Sequence, residues 1–416
     1  MQLSTVTQVF LSALCLKVLI TNYLDNRNKR HILRNQNQVP DKFEDKITLE
    51  EHQKAARYSV AKINAGKIFR FIELVILLFW TVGYEGIERL HLFILGFNLS
   101  PITEGLVYFS AFIGISTVLS LPQSIYTTFV LEEKFGFNKT TPKTFVIDMI
   151  KGLILGAIIG LPILGLILWI MAETQLWWLY AWAVVTAFQL IIIWAYPTVI
   201  APLFNKFTEL EEGEVKDVVV KLLDRTGFES KGLFVMDASK RTGHGNAYFT
   251  GFGKNKRIVF FDTLLNNLSP AEIEAVLAHE LGHFKRKHIL KMLFRGVLMS
   301  LLGFYILFKL STWPEFYTGH GVQSMAPHLT LMLFMQVSGI YTFFLTPLFS
   351  WFSRKHEFEA DEFAAQYSSA SELISALVKL YKENASTLTP DPMYSNFYHS
   401  HPPALIRVRH LESLER

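Results

Sequence analysis

The chain has 416 residues, half of them hydrophobic and 14% aromatic, and only 18% are charged, against about a quarter in soluble domains. That composition excludes an ordinary soluble enzyme, and the single cysteine, Cys15, excludes an intrachain disulfide. The formal charge of +4 comes with no basic helix or aromatic platform, so it does not signal a nucleic-acid partner.

Seven apolar spans are expected, near 3–24, 68–90, 105–127, 150–172, 176–200, 289–311 and 328–352. The clearest is Gly152 to Ala172, "GLILGAIIGLPILGLILWIMA", with no charge and no polar stripe. Its "GAIIG" fits the small-xxx-small pattern of close helix packing. The first span contains Lys17 and lacks the basic start and cleavage site of a signal peptide. The second carries Arg70, Glu73 and Glu85, and the sixth carries Lys291, Arg295 and Lys309. Those long cations can snorkel to the interfaces. The segment 25–67 holds ten Lys and Arg, and 128–145 holds Lys134, Lys139 and Lys143. The stretch 202–288 and the tail after 353 are basic too, while 91–104, 173–175 and 312–327 contain no Lys or Arg. Seven crossings put every basic segment on one side, which makes that side cytoplasmic and sets the N-terminus outside.

Four regions follow: spans one to five over 1–201, a cytoplasmic insert over 202–288, spans six and seven over 289–352, and a cytoplasmic C-terminal part over 353–416. The insert reads as an α+β unit. "EVKDVVVKLLDRTG" (214–227) has a helical apolar period and a terminal glycine stop. "GLFVMDAS" and "KRIVFFDTLL" look like strands, joined through the glycine-rich "KRTGHGNAYFTGFGKN".

A helix then begins at Ser269, an N-cap with Pro270 in the first turn and Glu272 completing a capping box. Ile273, Val276, Leu277 and Leu281 form its apolar stripe. His279 and His283 are four apart, so both imidazoles project from one face and can share one tetrahedral Zn²⁺. Glu280, beside the first histidine, is placed to act as general base, as in H-E-x-x-H metalloproteases. His288 sits on another helix face and falls outside this site. A third ligand is needed, and "SRKHEFEADEFAAQY" (353–367) is the best source. Glu357 and Asp361 share a helical face, Glu359 points elsewhere, and Glu362 is a decoy. One carboxylate of the pair can bind the metal while the other accepts the outer ring N–H of a ligand histidine.

Beyond these letters, "EEKFGFNKTTPKTF" (132–145), "YPTVIAPLFNKFTEL" (196–210), "GHGNAYFTGF" (243–252), "NKRIVFFDTLL", "AHELGH", "SRKHEFEADEFA" and "HSHPPALIRV" (399–408) occur in that order. Together they resemble the type I CAAX prenyl proteases, integral-membrane zinc metallopeptidases of the gluzincin group. The smaller heat-shock membrane proteases share the metal motifs but lack the front half. The resemblance implies an α-helical membrane protein, its seven transmembrane helices enclosing a chamber, with a cytoplasmic α+β zinc metalloprotease insert. It implies one Zn²⁺ held by His279, His283 and Glu357, with Glu280 as base, Asp361 behind the ligands, and His401 and Arg407 steadying the transition state. It also implies that His244, Asn246 and Ala247 belong to an exposed strand edge that pairs with peptide substrate. Expected partners are the lipid bilayer and a peptide or membrane-protein substrate, prenylated CAAX termini included. The short loops point to a bacterial member, in the inner membrane; a eukaryotic one would lie in the endoplasmic reticulum membrane. The competing reading is a transporter or non-catalytic scaffold with a structural metal. Lys17, Glu85 and Gln189 would then mark a path, but neither needs a soluble insert with a base beside the first ligand.

Overall fold

The computed structural model describes residues 3–250 and 256–415. Helix α1 (Thr5–Asn35) starts where the Ser4 hydroxyl accepts the Thr7 N–H. Helix α2 (Leu49–Trp80) starts with a capping box between Thr48 and Glu51. A short α3 (Gly86–Leu95) leads to α4 (Pro101–Tyr126), which runs through a π-helical turn into α5 (Glu133–Phe135) and stops at Gly136, φ +84°. Helices α6 (Pro142–Glu173) and α7 (Trp177–Ala195) complete the front half.

Among the described residues, six helical rods are long and apolar enough to cross a membrane: Thr5–Asn35, Pro101–Phe135, Pro142–Glu173, Trp177–Leu203, His288–Ser311 and Pro327–Tyr367. The second expected span lies mainly on α2, a long helix that is not among the six because Lys67, Arg70 and Glu73 interrupt its apolar part. The sixth expected span, despite its cations, is among them. Ile158, Ile191 and Val118 are exposed along these rods, as lipid-facing residues are. The "GAIIG" stretch departs from expectation. A Cβ on Gly156 or Gly160 would meet nothing within 4 Å, so these glycines do not mediate close packing within the chain.

The remaining elements form the second half of the chain. Strand β1 (Phe207–Glu209) precedes α8 (Glu214–Thr226), β2 (Leu233–Met236), β3 (Ala247–Thr250) and β4 (Arg257–Phe261). The sheet order is β1-β2-β4-β3; β2 and β4 are parallel and the outer pairs antiparallel. Both expected strands are present, and among the described residues β3 is an outer strand bonded only to β4. The last two glycines of the connecting stretch, Gly251 and Gly253, lie outside the described residues. After a single turn, α9 (Asp262–Leu265), comes α10 (Pro270–Lys285), then α11 (His288–Ser311), α12 (Pro314–Thr318), α13 (Pro327–Thr342) and α14 (Thr346–Tyr367). Helices α15 (Ala370–Glu383), α16 (Pro392–Tyr398) and α17 (Ala404–Leu414) close the chain.

The segment 202–288 does not form a core by itself. Leu222, Ile258, Phe260, Ile273 and Leu281 share one hydrophobic cluster with Phe43 and Ile47 from the front of the chain and Leu373, Val408 and Leu411 from its end. Helices α8, α14 and α15 pack against α10, and α17 packs on α14 and α15.

Candidate active site

The expected capping box is formed. Ser269 Oγ accepts the Glu272 N–H, and Glu272 accepts the Ser269 N–H at 2.7 Å. Glu272 is buried and also receives Ser375 and Lys379 of α15, so the start of α10 is tied to its neighbour. Ile273, Leu277 and Leu281 are buried in the core, which turns His279 and His283 toward α14.

Close approach of α10 and α14 depends on Gly282. A Cβ there would lie 2.9 Å from Ala360 Cα and 3.0 Å from Phe363 Cβ. The glycine inside H-E-L-G-H thus lets Glu357 reach the two imidazoles. The Nε2 atoms of His279 and His283 are 3.3 Å apart. Glu357 Oε1 is 3.3 Å from the His283 atom, and Oε2 is 3.5 Å from the His279 atom. A tetrahedral ion with bonds of 2.0–2.2 Å holds its ligands roughly 3.3–3.5 Å apart, so the triangle fits a zinc-sized ion. Glu357 Oε2 is moreover buried without a hydrogen-bond partner. His401 Nδ1 approaches it to 2.7 Å, an ion-pair contact only. Three N and O donors are the set found at catalytic zinc sites, which keep one position open.

The outer ring nitrogens are also engaged. Asp361 Oδ1 lies 2.8 Å from His279 Nδ1. An Nδ1–H donated there leaves Nε2 free to bind an ion. Arg407, from α17, is buried and donates through Nε and Nη2 to both Asp361 oxygens, with Nη1 3.6 Å from Glu357 Oε2. Burial and the Arg407 cation both disfavour a charged His279, but the adjacent Asp361 and Glu357 carboxylates outweigh them and push its pKa up to about 9. Burial likewise opposes the Arg407 charge, and Asp361 and Glu357 more than restore it.

His288 corrects the sequence expectation. Helix α10 ends at Lys285, and Lys287 adopts φ +59°, so His288 begins a new helix rather than another face of the old one. The chain turns back and brings His288 Nδ1 to 3.1 Å from His283 Nδ1. His288 Nε2 lies 2.8 Å from Glu359. The two basic residues between Lys285 and His288 were the only hint of the break. Glu359 does point away from the triangle, as expected, but it faces the outer side of His283 through His288. Glu362 is exposed and takes no part.

A cavity of about 700 Å³ opens beside the triangle, lined by His279, Glu280, Asn246, Ala247, His401 and Arg407 and reaching Asp25 and Arg70 of α1 and α2. His244 is not among its lining residues. It pairs instead with Asn384 at 3.0 Å and stacks on Phe137. His401 stays largely exposed, whereas Arg407 is held by the two carboxylates.

Residues 28–206 match the family described as CAAX prenyl protease N-terminal, five membrane helices, and residues 209–415 match peptidase family M48. CAAX prenyl protease 1 of Saccharomyces cerevisiae is 35% identical over 94% of this chain and 92% of its own length. The Dictyostelium discoideum homologue is 36% identical over 94% and 93%. The chain belongs to the CAAX prenyl protease 1 family. The crystal structure of S. mikatae Ste24p superposes with a TM-score of 0.90 at 33% identity, over 98% of this chain and 99% of that one. Membership in this family makes the chain a multi-pass membrane metalloendopeptidase. Because it spans nearly the full length of these eukaryotic relatives, its short loops do not single out a bacterial member.

Proposed function

We propose that this CAAX prenyl protease family member uses one Zn²⁺, held by His279, His283 and Glu357, to hydrolyse peptide bonds at the membrane. The observation that carries this reading is the converging His279–His283–Glu357 triangle, whose dimensions suit the ion and whose Glu357 Oε2 is buried without a hydrogen bond. A bound zinc ion polarises the scissile carbonyl and lowers the pKa of water toward neutrality. Glu280, on the cavity wall, takes the proton of the attacking water and later hands it to the leaving amine. Asp361 keeps His279 in the tautomer that presents Nε2. His401, exposed in the cavity, donates to the oxyanion as it develops. Arg407 supports it mainly by keeping Asp361 ionised and in place. Peptide substrate adds to the outer side of β3 at Asn246 and Ala247, where one strand edge is unpaired among the described residues. Family membership favours a prenylated CAAX terminus, and the unfolded segment of a membrane protein has the same extended chemistry. The basic segments argue for a cytoplasmic active site and an outside N-terminus.

The test is cleavage of a farnesylated CAAX peptide by purified protein carrying Glu280→Gln. Zinc content should stay at the wild-type level while turnover falls by at least about 10²-fold. Wild-type turnover by this variant would remove Glu280 from its role. Loss of cleavage on chelation, with recovery on adding Zn²⁺, tests the ion itself.

A further inference from the structure

Among the described residues, two groups of three side chains bring potential ligand atoms together. One is the active-site triangle. The other is His91 on α3, Glu104 in the first turn of α4 and His328 in the first turn of α13. His328 and Glu357 are 29 residues apart on an almost unbroken helical run, roughly 40 Å at 1.5 Å per residue. The second group therefore lies at the opposite end of the apolar rods from the first.

We propose that His91, Glu104 and His328 form a second, structural site for a zinc-class divalent ion. His91 Nδ1 lies 3.1 Å from His328 Nε2, and Glu104 Oε1 lies 3.3 Å from the former and 3.6 Å from the latter. These spacings bracket the roughly 3.3–3.5 Å set by tetrahedral coordination with 2.0–2.2 Å bonds. They also repeat the 3.3, 3.3 and 3.5 Å of the active-site group. All three residues are buried, at 6%, 9% and 3% exposure. Without an ion and with both rings neutral, one proton between the rings satisfies one nitrogen pair and leaves the carboxylate facing an imidazole lone pair. A divalent cation satisfies all three donors at once, and imidazole with carboxylate suits zinc.

The frame around the group is rigid. Glu88, one turn before His91, accepts the backbone N–H groups of Gln323 and Ser324 at 3.0 Å each, and the Ser324 hydroxyl at 2.6 Å. This ties α3 to the segment that enters α13. Gly105 lets α4 approach closely, since a Cβ there would lie 3.2 Å from His328 Cβ and 2.6 Å from Leu168 Cδ1. Three ligands from three separate elements make the ion a clasp across this end of the bundle. With the topology proposed above, the clasp faces the non-cytoplasmic side.

The experiment is equilibrium dialysis of purified full-length protein against buffered micromolar Zn²⁺, with metal counted per chain. Wild type should hold about two ions, and His279→Ala about one, by the three-ligand count at each site. His91→Ala and the isosteric Glu104→Gln should each hold about one and still cleave peptide, which shows that they fold and keep the active-site metal. The double variant His279→Ala with Glu104→Gln should hold none. A wild type that binds one ion, lost entirely in His279→Ala, would overturn the proposal. So would a Glu104→Gln protein that retains both.

Discussion

The Nδ1 atom of His288 lies 3.1 Å from the Nδ1 atom of His283. If His283 binds the ion through Nε2, its Nδ1 carries the proton and donates it to His288. His288 must then hold its own proton on Nε2, where Glu359 accepts it at 2.8 Å. The carboxylate behind His283 thus acts through an intervening imidazole, whereas Asp361 touches His279 directly. Outer partners of this kind typically govern metal affinity by 10–100-fold. His288→Ala should weaken zinc binding by about 10-fold or more, measured by chelator competition, with Glu359→Gln in the same direction but less affected. Unchanged affinity in both variants would mean that the chain of contacts does not orient His283.

Gly282 makes a sharper prediction about geometry. Its missing Cβ is filled by Ala360 and Phe363 of α14 at 2.9–3.1 Å. Gly282→Ala must push α10 and α14 apart, at a cost of about 1–3 kcal/mol for overpacking. That displacement acts on the distance between Glu357 and the two imidazoles. Zinc affinity and turnover should fall together, and the thermal midpoint should drop by several degrees. If stability falls while affinity is untouched, Gly282 matters for packing alone.

Arg407 separates a structural role from a chemical one. Its guanidinium is buried among Asp361 and Glu357. Arg407→Ala leaves two buried carboxylates without their cation, a change worth about 3–5 kcal/mol. The metal-free variant should unfold at a clearly lower temperature than metal-free wild type. Arg407→Lys keeps the charge but not the two-pronged contact, and should fall between them. A variant of normal stability and metal content whose kcat alone collapses would instead put Arg407 on the developing oxyanion.

Much of this was legible from the chain because it rests on local periodicity. The Ser269 cap, the four-residue spacing of His279 and His283, and the shared face of Glu357 and Asp361 are consequences of helical geometry alone. What the sequence hid depends on helix ends and on packing between distant segments. A left-handed Lys287 resets the direction of His288, and no periodic pattern records it. The His91–Glu104–His328 group comes from three elements whose residues are separated by as many as 237 positions. The shared core likewise joins Phe43 to Leu411, so the insert boundary at 288 marked a change in hydropathy rather than the end of a folding unit. The family resemblance places His244 at the substrate edge with Asn246 and Ala247. Its ring instead turns to Phe137 and Asn384.

Protons and metal should compete at His279. In the metal-free protein its pKa is pushed up to about 9, from 6.5, because the adjacent Asp361 and Glu357 carboxylates outweigh burial and the neighbouring Arg407. Below pH 9 the ring is therefore protonated and must release that proton before Nε2 can bind an ion. Apparent zinc affinity should rise about tenfold per pH unit over pH 6.5–9 and then flatten as this proton ceases to be present. Stability runs the other way. A raised folded-state pKa contributes fully below 6.5 and is lost as pH climbs through 9. The metal-free protein should thus weaken between those values, while the zinc-loaded protein, whose His279 is neutral throughout, should not. Thermal unfolding of both forms across that range is the measurement, and parallel curves would show that His279 does not hold the proton.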